Sequence, residues 1–542
     1  MRRPFPLRGR ARVLAPLAAG VTSISLIAAG CGGSDTSTGS TASSVAGFVP
    51  ASAPLYMDVS TEVDGAQWKQ IDALGALFPA YPQLKAEMEK EINSGSTRFD
   101  ADVKPLLGGR AAMAVLKFPE GTQAKDAASD PVKAAEGGEF VAIIDLLDGK
   151  DADAEALLKK EADGAPTQVD GVNIYKQSGS GDSYAAVVDG AVLMSDTEAN
   201  LKTVIDAHRA GGSSVLTGSD RFTEALSKLP GDTFAQFYMD IGTVAKQQAA
   251  QASQLGATSL ANIEDARMAG SVTAEPEGVR IKGVMMGSPD TAKEFNPTLD
   301  EKVPSDAVFF ADVSDLDSQV TDAVTKVMAE LTDEQRSQAQ AFVGQVEPML
   351  GVSLDDIRSL VRDETAVIAT KGAPAPGIVV ASKVGDGTKA QATLDALRER
   401  SPLLLQSMMG SSGKMPAWTP VNLEGGVKGW NLPLSPTGGV TYGVEGSLAM
   451  LGSTPAAIRA VQRPSQPLSQ LDEYTKAIAD APDKVTGLMW LNVSEAVRLG
   501  EAAGAFKSDP EALANLRPVK SVVGWGTGGD EPTFEIFTHV AK

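Results

Sequence analysis

Twelve residues near the start of this chain return near its middle. Val49-Pro50-Ala51-Ser52-Ala53-Pro54-Leu55-Tyr56-Met57-Asp58-Val59-Ser60 lines up with Val303-Pro304-Ser305-Asp306-Ala307-Val308-Phe309-Phe310-Ala311-Asp312-Val313-Ser314, an offset of 254 positions. Further matches follow in the same order. Asp102-Val103 with Leu106-Leu107 answers to Asp356-Ile357 with Leu360-Val361, Phe140 to Gly149 answers to Ile378 to Gly387, and Asp189 to Met194 answers to Glu445 to Met450. A helix cap, Ser195 to Glu198, is answered by Ser453-Thr454, and Leu216, Phe222 and Asp240 are answered by Leu468, Tyr474 and Asn492. The offset is far longer than a solenoid unit of about 20 to 50 residues, so each copy must bury a core of its own. The expectation is two homologous tandem modules, 48–299 and 300–542, joined through a stretch containing Pro289 and Pro297.

Within a copy, strand and helix signals mix without βα alternation. Leu55 to Ser60, Ala111 to Leu116, Phe140 to Leu147, Val172 to Tyr175, Tyr184 to Val188, Ala191 to Met194 and Thr233 to Met239 are short apolar runs bounded by turn residues, as strands are. Asp189-Gly190 is a hairpin turn. Trp68, Ile71, Leu74 and Phe78 recur at helical spacing, as do Leu201, Val204 and Ile205 behind the Ser195–Glu198 capping box. This mixture predicts α+β modules with mainly antiparallel sheets and packed helices.

The N-terminus bears on location. Arg2, Arg3, Arg8, Arg10 and Arg12 precede an apolar run from Val13 that closes on Ala28-Ala29-Gly30-Cys31, the only cysteine. A basic segment, an apolar segment and small residues before a cleavage point describe a signal peptide. Bacterial lipoprotein signals resemble this one, with the cysteine acylated and left as the first mature residue. An uncleaved membrane helix and ordinary secretion are the competing readings, and the run with Thr22, Ser23 and Ser25 is short for a span. Residues 1–30 are thus expected to be removed, and 31–47, rich in Ser, Thr and Gly, to be a flexible tether behind a lipidated Cys31 on the outer face of the cell membrane.

Charge then excludes several roles. Net charge is -21 at pH 7, and loss of the five arginines takes the mature chain to -26. No nucleic acid or anionic surface would attract it electrostatically, so membrane attachment falls to the acylated Cys31. A solitary cysteine permits no internal disulfide, and two histidines, His208 and His539, leave little material for zinc sites or His-based triads.

The residues that could carry chemistry all have plainer readings. Asp58 and Asp312 end equivalent strands and could form an acidic pair, but an Asp there more often caps a following helix. Asp145, Asp148, Asp151, Asp153 and Glu155 miss the calcium-loop spacing. Ser411-Ser412-Gly413-Lys414 has Ser-x-x-Lys without the partner motifs, and Gly181-Asp182-Ser183-Tyr184 lacks the closing glycine of a nucleophile elbow. Gly524-Trp525-Gly526-Thr527-Gly528-Gly529 matches no nucleotide fingerprint and is expected to be the turn between the last two strands.

One segment differs in character between the copies. Where the first has Glu161 to Thr167, the second has Leu403 to Met409, a Gly/Ser stretch, then Met415 to Trp418. Leu404, Leu405, Met408, Met409 and Trp418 could complete the second core or offer a hydrophobic contact to a partner, a ligand or the membrane.

With its tether followed by Pro50, Ala53, Tyr56, Asp58 and Ser60 and by Leu77-Phe78-Pro79, the chain resembles secreted or anchored actinobacterial proteins with an uncharacterised domain, domain of unknown function 3352. The resemblance covers Phe48 to the end. The second copy departs from it with Phe309-Phe310 and no Leu-Phe-Pro. It implies no catalytic, cofactor or metal residue. The expectation is a non-catalytic binding or scaffolding protein of the cell envelope whose partner is an unknown envelope protein or an apolar ligand. The alternatives are apolar-ligand capture as the main role, or an acidic-residue hydrolase.

Overall fold

The computed structural model describes residues 44–93, 97–119, 138–178, 183–252, 264–287, 292–318, 320, 321, 325, 328, 331–372, 375–409 and 416–542. The fold is α+β, and the chain divides into two units. One comprises Met1–Asp290, Asp530–Ile536 and Val540–Lys542; the other comprises Thr291–Gly529 and Phe537–His539.

The first unit holds β1 (Leu55–Ser60), β2 (Leu107–Lys117), β3 (Glu139–Leu146), β4 (Thr167–Val169), β5 (Val172–Lys176), β6 (Tyr184–Val188), β7 (Ala191–Ser195), β8 (Ala235–Met239), β9 (Arg267–Glu275) and β10 (Gly278–Met286). They pair antiparallel in the order β4-β5-β6-β7-β3-β2-β1-β8-β9-β10. The β6–β7 turn has positive φ at both Asp189 (43°) and Gly190 (82°), the handedness that matches strand twist.

Both faces of this sheet are covered. On one, Tyr56, Ile143 and Leu193 meet Leu201, Val204 and Ile205 of helix Glu198–Ala210 and Phe222, Ala225 and Leu226 of helix Asp220–Ser227. The capping of the first of these helices is simpler than its sequence suggests: Thr197 alone accepts from the Asn200 N–H. On the other face Leu55, Met57, Val59, Val192 and Met194 pack with Ala154 and Leu158 of helix Asp151–Lys160 and with Trp68. Each fully buried aliphatic side chain there contributes about 1.5–3 kcal/mol.

Buried structure lies on the N-terminal side of the expected tether boundary at residue 47. Ser44–Phe48 is a 3₁₀ turn with Val45, Ala46 and Phe48 buried. Phe48 stacks on His208 at 3.9 Å.

The second unit holds β11 (Phe309–Val313), β12 (Thr365–Thr370), β13 (Gly377–Lys383), β14 (Thr419–Asn422), β15 (Lys428–Ser435), β16 (Gly438–Glu445), β17 (Leu448–Gly452), β18 (Gly487–Asn492) and β19 (Val519–Gly526). Their antiparallel order is β14-β15-β16-β17-β13-β12-β11-β18-β19, the succession of the first unit from β4 to β9. Phe310, Ile368, Val379, Met450, Trp490 and Trp525 face the inner core, against Ile458 and Val461 of helix Pro455–Gln462 and Tyr474 of helix Asp472–Ala477. Gly524, Trp525 and Gly526 are therefore strand, not turn, because the buried indole at 525 needs an inward position. The last strand is β20 (Thr533–Val540).

Two stretches fall on the other side of the expected boundary. Thr298 and Leu299 belong with the second unit because their N–H groups bond Glu364. The Asp530–Ile536 stretch belongs with the first: Glu535 is buried between Arg280 and Lys282 of β10, and Phe534 lies against Gly283.

Candidate functional site

In each unit the central strand carries a fully buried aspartate, Asp58 on β1 and Asp312 on β11. Strand alternation puts each on the inner face, two residues from a buried aromatic, Tyr56 or Phe310. Neither caps a helix. The helix after β1, Ala66–Gly75, starts behind Gly65 with no side-chain cap, six residues beyond the strand.

Asp58 is fully compensated. The Tyr56 hydroxyl donates to its Oδ2 at 2.6 Å, and Arg110 Nε donates to Oδ1 in an ion pair. A charge this deep is tolerable only with such partners.

Asp312 has different neighbours. Among the described residues its two oxygens meet no N–H or O–H donor. Beside it stands Glu364, which accepts from Thr298 N at 2.5 Å, Leu299 N at 2.8 Å and Thr298 Oγ1 at 2.9 Å, with Lys383 Nζ at 2.6 Å. Burial, and then the Glu364 charge, push the Asp312 carboxyl up to about 9. Burial raises Glu364 too, but Lys383 and the Thr298 donors outweigh it and hold that carboxyl below its ordinary value. Burial also raises Asp300, which accepts from the Tyr474 hydroxyl at 3.3 Å. Two acids with pKa values driven apart are the electrostatic half of an acid–base site. The other half is a cleft reaching the reacting atoms, and among the described residues Asp312 and Glu364 are both buried.

The remaining sequence candidates disperse. Asp145 accepts from Gly109 N at 3.1 Å, Asp153 pairs with Lys150 at 2.9 Å, and Glu155 accepts from Asn173 and Tyr175, so these carboxylates point at separate partners. Among the described residues no three His, Cys, Asp or Glu side chains are placed to hold a metal ion. His208 closes its helix with Nδ1 2.9 Å from Gly47 O and Nε2 3.1 Å from Asp189. His539 Nδ1 lies 2.8 Å from Glu473 Oε1, and Ser521 Oγ donates to that same oxygen. The serine proton is thus directed at a carboxylate and not at imidazole, the reverse of a nucleophile–base pair.

Trp418 is half-buried: its indole N–H donates to Ser401 Oγ at 2.7 Å, and its ring meets Tyr442 edge-on at 5.5 Å. Leu404, Leu405, Met408 and Met409 belong to helix Gly387–Met409, and their side chains lie outside the described set. Cys31, Gly181-Asp182 and Ser411–Lys414 lie outside the described residues.

Sequence reasoning missed an apolar strip on the outer face of the second sheet. Val367 on β12 pairs with Val380 on β13, which pairs with Leu451 on β17, and Ile378 follows on the same face of β13. Val367, Ile378 and Leu451 are 40%, 45% and 44% exposed. At the matching register positions the first unit has Met113, Phe140 and Met194; the first two are half-buried and the last is 7% exposed. Strand alternation reveals such residues but not whether anything covers them. Concave alternatives are poorer. The apolar cleft under helix Asp151–Lys160 holds about 30 Å³, far below the roughly 300–1,000 Å³ of small-molecule sites. An open groove of about 550 Å³ beside Glu347, Ser353 and Thr393 has its Lys389 already paired with Asp356 at 2.7 Å.

A family model described as "Protein of unknown function (DUF3352)" matches residues 12–523. The chain belongs to this family. The DUF3352 match runs through both units. No curated protein matches the chain. Among solved structures, crystal form IV of TP0453 is similar at a TM-score of 0.25 and 11% identity, covering 45% of this chain and 81% of that one. Crystal form III of TP0453 gives 0.25 and 11%, covering 46% and 82%. Likeness of that degree carries no argument about role.

Proposed function

We propose that this DUF3352 chain is an exported lipoprotein of the anchored actinobacterial type, held on the outer face of the cell membrane by an acylated Cys31, and that its work is non-catalytic binding. The observation that carries the binding reading is the strip of Val367, Ile378, Val380 and Leu451. Aliphatic side chains left open at positions where the first unit buries Met194 and half-buries Met113 and Phe140 suit a hydrophobic contact. All three strands are paired on both sides, so a partner would meet side chains and not extend the sheet. The arginine-rich start and the small residues before Cys31 support the anchor.

The test has two arms. Cys31→Ser should move the protein from the membrane fraction to the soluble one; sedimentation with membranes after salt and carbonate washing would remove the anchor. Leu451→Asn with Val367→Asn should abolish recovery of whatever envelope protein or apolar molecule copurifies with the unaltered chain. Unchanged recovery would remove the strip. The matching strand orders further support two copies of one ancestral module, a reading that an experimental structure with Leu55–Ser60 and Phe309–Val313 in unlike sheet positions would end.

A second reading, hydrolysis by the Asp312–Glu364 pair, draws on their separated pKa values. Their burial favours a structural role.

A further inference from the structure

We propose that Asp312 keeps its proton at neutral pH and donates it to Glu364, making the two carboxyl groups a proton-held latch that fixes Thr298 and Leu299 to the second unit. The argument starts from register. Asp312 pairs with Ala366, and Glu364, two residues before that alanine at the entry to β12, is buried beside Asp312 and acts on its charge. Two ionised carboxyl groups offer only acceptors, which is why neither Asp312 oxygen has a donor. A single proton between them converts the repulsion into a charge-assisted hydrogen bond.

The other groups around the pair decide which acid holds that proton. Glu364 already receives three hydrogen bonds from Thr298 and Leu299 and the Lys383 ammonium, all of which favour its charged form. Asp312 receives nothing comparable: Asp300 adds a like charge, Tyr474 donates to Asp300, and Trp490 and Trp525 leave their indole N–H groups without acceptors. Lys383 is 42% exposed, so its charge is partly spent on solvent.

The latch has a mechanical consequence. Leu299 and Val303 are in the core, and Glu364 ties the chain entering that core to the sheet. Ionisation of Asp312 sets a second charge against Glu364 and weakens its hold on Thr298 and Leu299. The folded pKa of Asp312 is raised from 3.8 to about 9, so its contribution is fully present at acid pH and is lost as pH rises through that window. Between pH 5 and 8 the Asp312 carboxyl is thus protonated in the folded unit and ionised in the unfolded chain. The unfolding constant of the unit should therefore rise up to about tenfold per pH unit from this group alone. Acid should tighten this unit.

Denaturant unfolding of the mature chain in detergent, followed by tryptophan fluorescence, reads this directly, because Trp418, Trp430, Trp490 and Trp525 all lie in the second unit and only Trp68 in the first. The midpoint of the dominant transition should fall from pH 5 to pH 8. Asp312→Asn, whose amide donates without titrating, should flatten that slope and hold the midpoint near its acid value. A protonated-carboxyl infrared band at pH 7 that Asp312→Asn removes is the second expected result. A wild-type midpoint that rises with pH, an absent band, or a wild-type slope retained in Asp312→Asn would each overturn the latch. The first two need no variant and stand even if the substituted chain fails to fold.

Discussion

Arg110 and Glu364 each stand two residues before the alanine that pairs with the buried aspartate, Arg110 within β2 and Glu364 at the entry to β12, yet they carry opposite charges. The residue diagonal to them on the neighbouring strand is reversed as well: Asp145 follows the Ile143 that pairs with Ala112, and Lys383 follows the Ala381 that pairs with Ala366. Each unit thus places one cation and two acids around this point. In the first unit the cation touches the buried aspartate directly. In the second it touches the neighbouring glutamate, and a proton must do for Asp312 what Arg110 does for Asp58.

From this follows a test in the first unit. Arg110→Met takes the cation away from buried Asp58, and should destabilise that unit by about 3 to 5 kcal/mol. Adding Asp58→Asn should recover much of the loss. Thermal unfolding of the single and double variants checks both; equal instability of the two would mean that the pair is not coupled.

The end of the chain is the next test. Glu535 meets Arg280 and Lys282, and Phe534 fills the space that Gly283 leaves open. Ending the chain after Gly529 removes all of these from the first unit. A fragment of residues 48–299 should consequently melt well below the intact chain by circular dichroism, and Glu535→Gln should lower stability by roughly 2 to 4 kcal/mol through two underpaired cations. An unchanged melt of the shortened chain would contradict this placement.

At the other end, a chain shortened to start at Phe48 loses Val45 and Ala46, both fully buried, and the Gly47 carbonyl that faces His208. The expected cost is about 2 to 3 kcal/mol, nearly all from burial. Starting instead at Ser44 keeps these groups and should spare this loss. Denaturant midpoints of the two shortened chains distinguish a structural turn from the tail of a tether.

Equivalent positions in the two sheets should respond differently to the same change. Met194→Ser empties a packed position and should cost about 2 to 5 kcal/mol. Leu451→Ser removes an exposed side chain and should alter stability by less than about 1 kcal/mol. Comparable losses at both would show that the strip is covered.

Much of the element order was determined by local sequence. The short apolar runs of β1, β3 and β7, the Asp189-Gly190 turn and the amphipathic stripe of Leu201, Val204 and Ile205 follow from backbone sterics and side-chain spacing, which act within a few residues. The recurrence of Val49–Ser60 at Val303–Ser314 likewise let two similar strand orders be expected before any coordinate. What lay beyond sequence were the partners. Asp58 and Asp312 read as helix caps because a carboxylate after a strand has a local use, whereas their burial is set by strands from elsewhere in the chain. Gly524-Trp525-Gly526 read as a turn because glycines punctuate locally, and only the inward demand of a buried indole makes it strand. The coverage of Met194 and the openness of Leu451 depend on which helices lie over each face. Burial and charge compensation are properties of what surrounds a residue, and those surroundings exist only once distant segments have met.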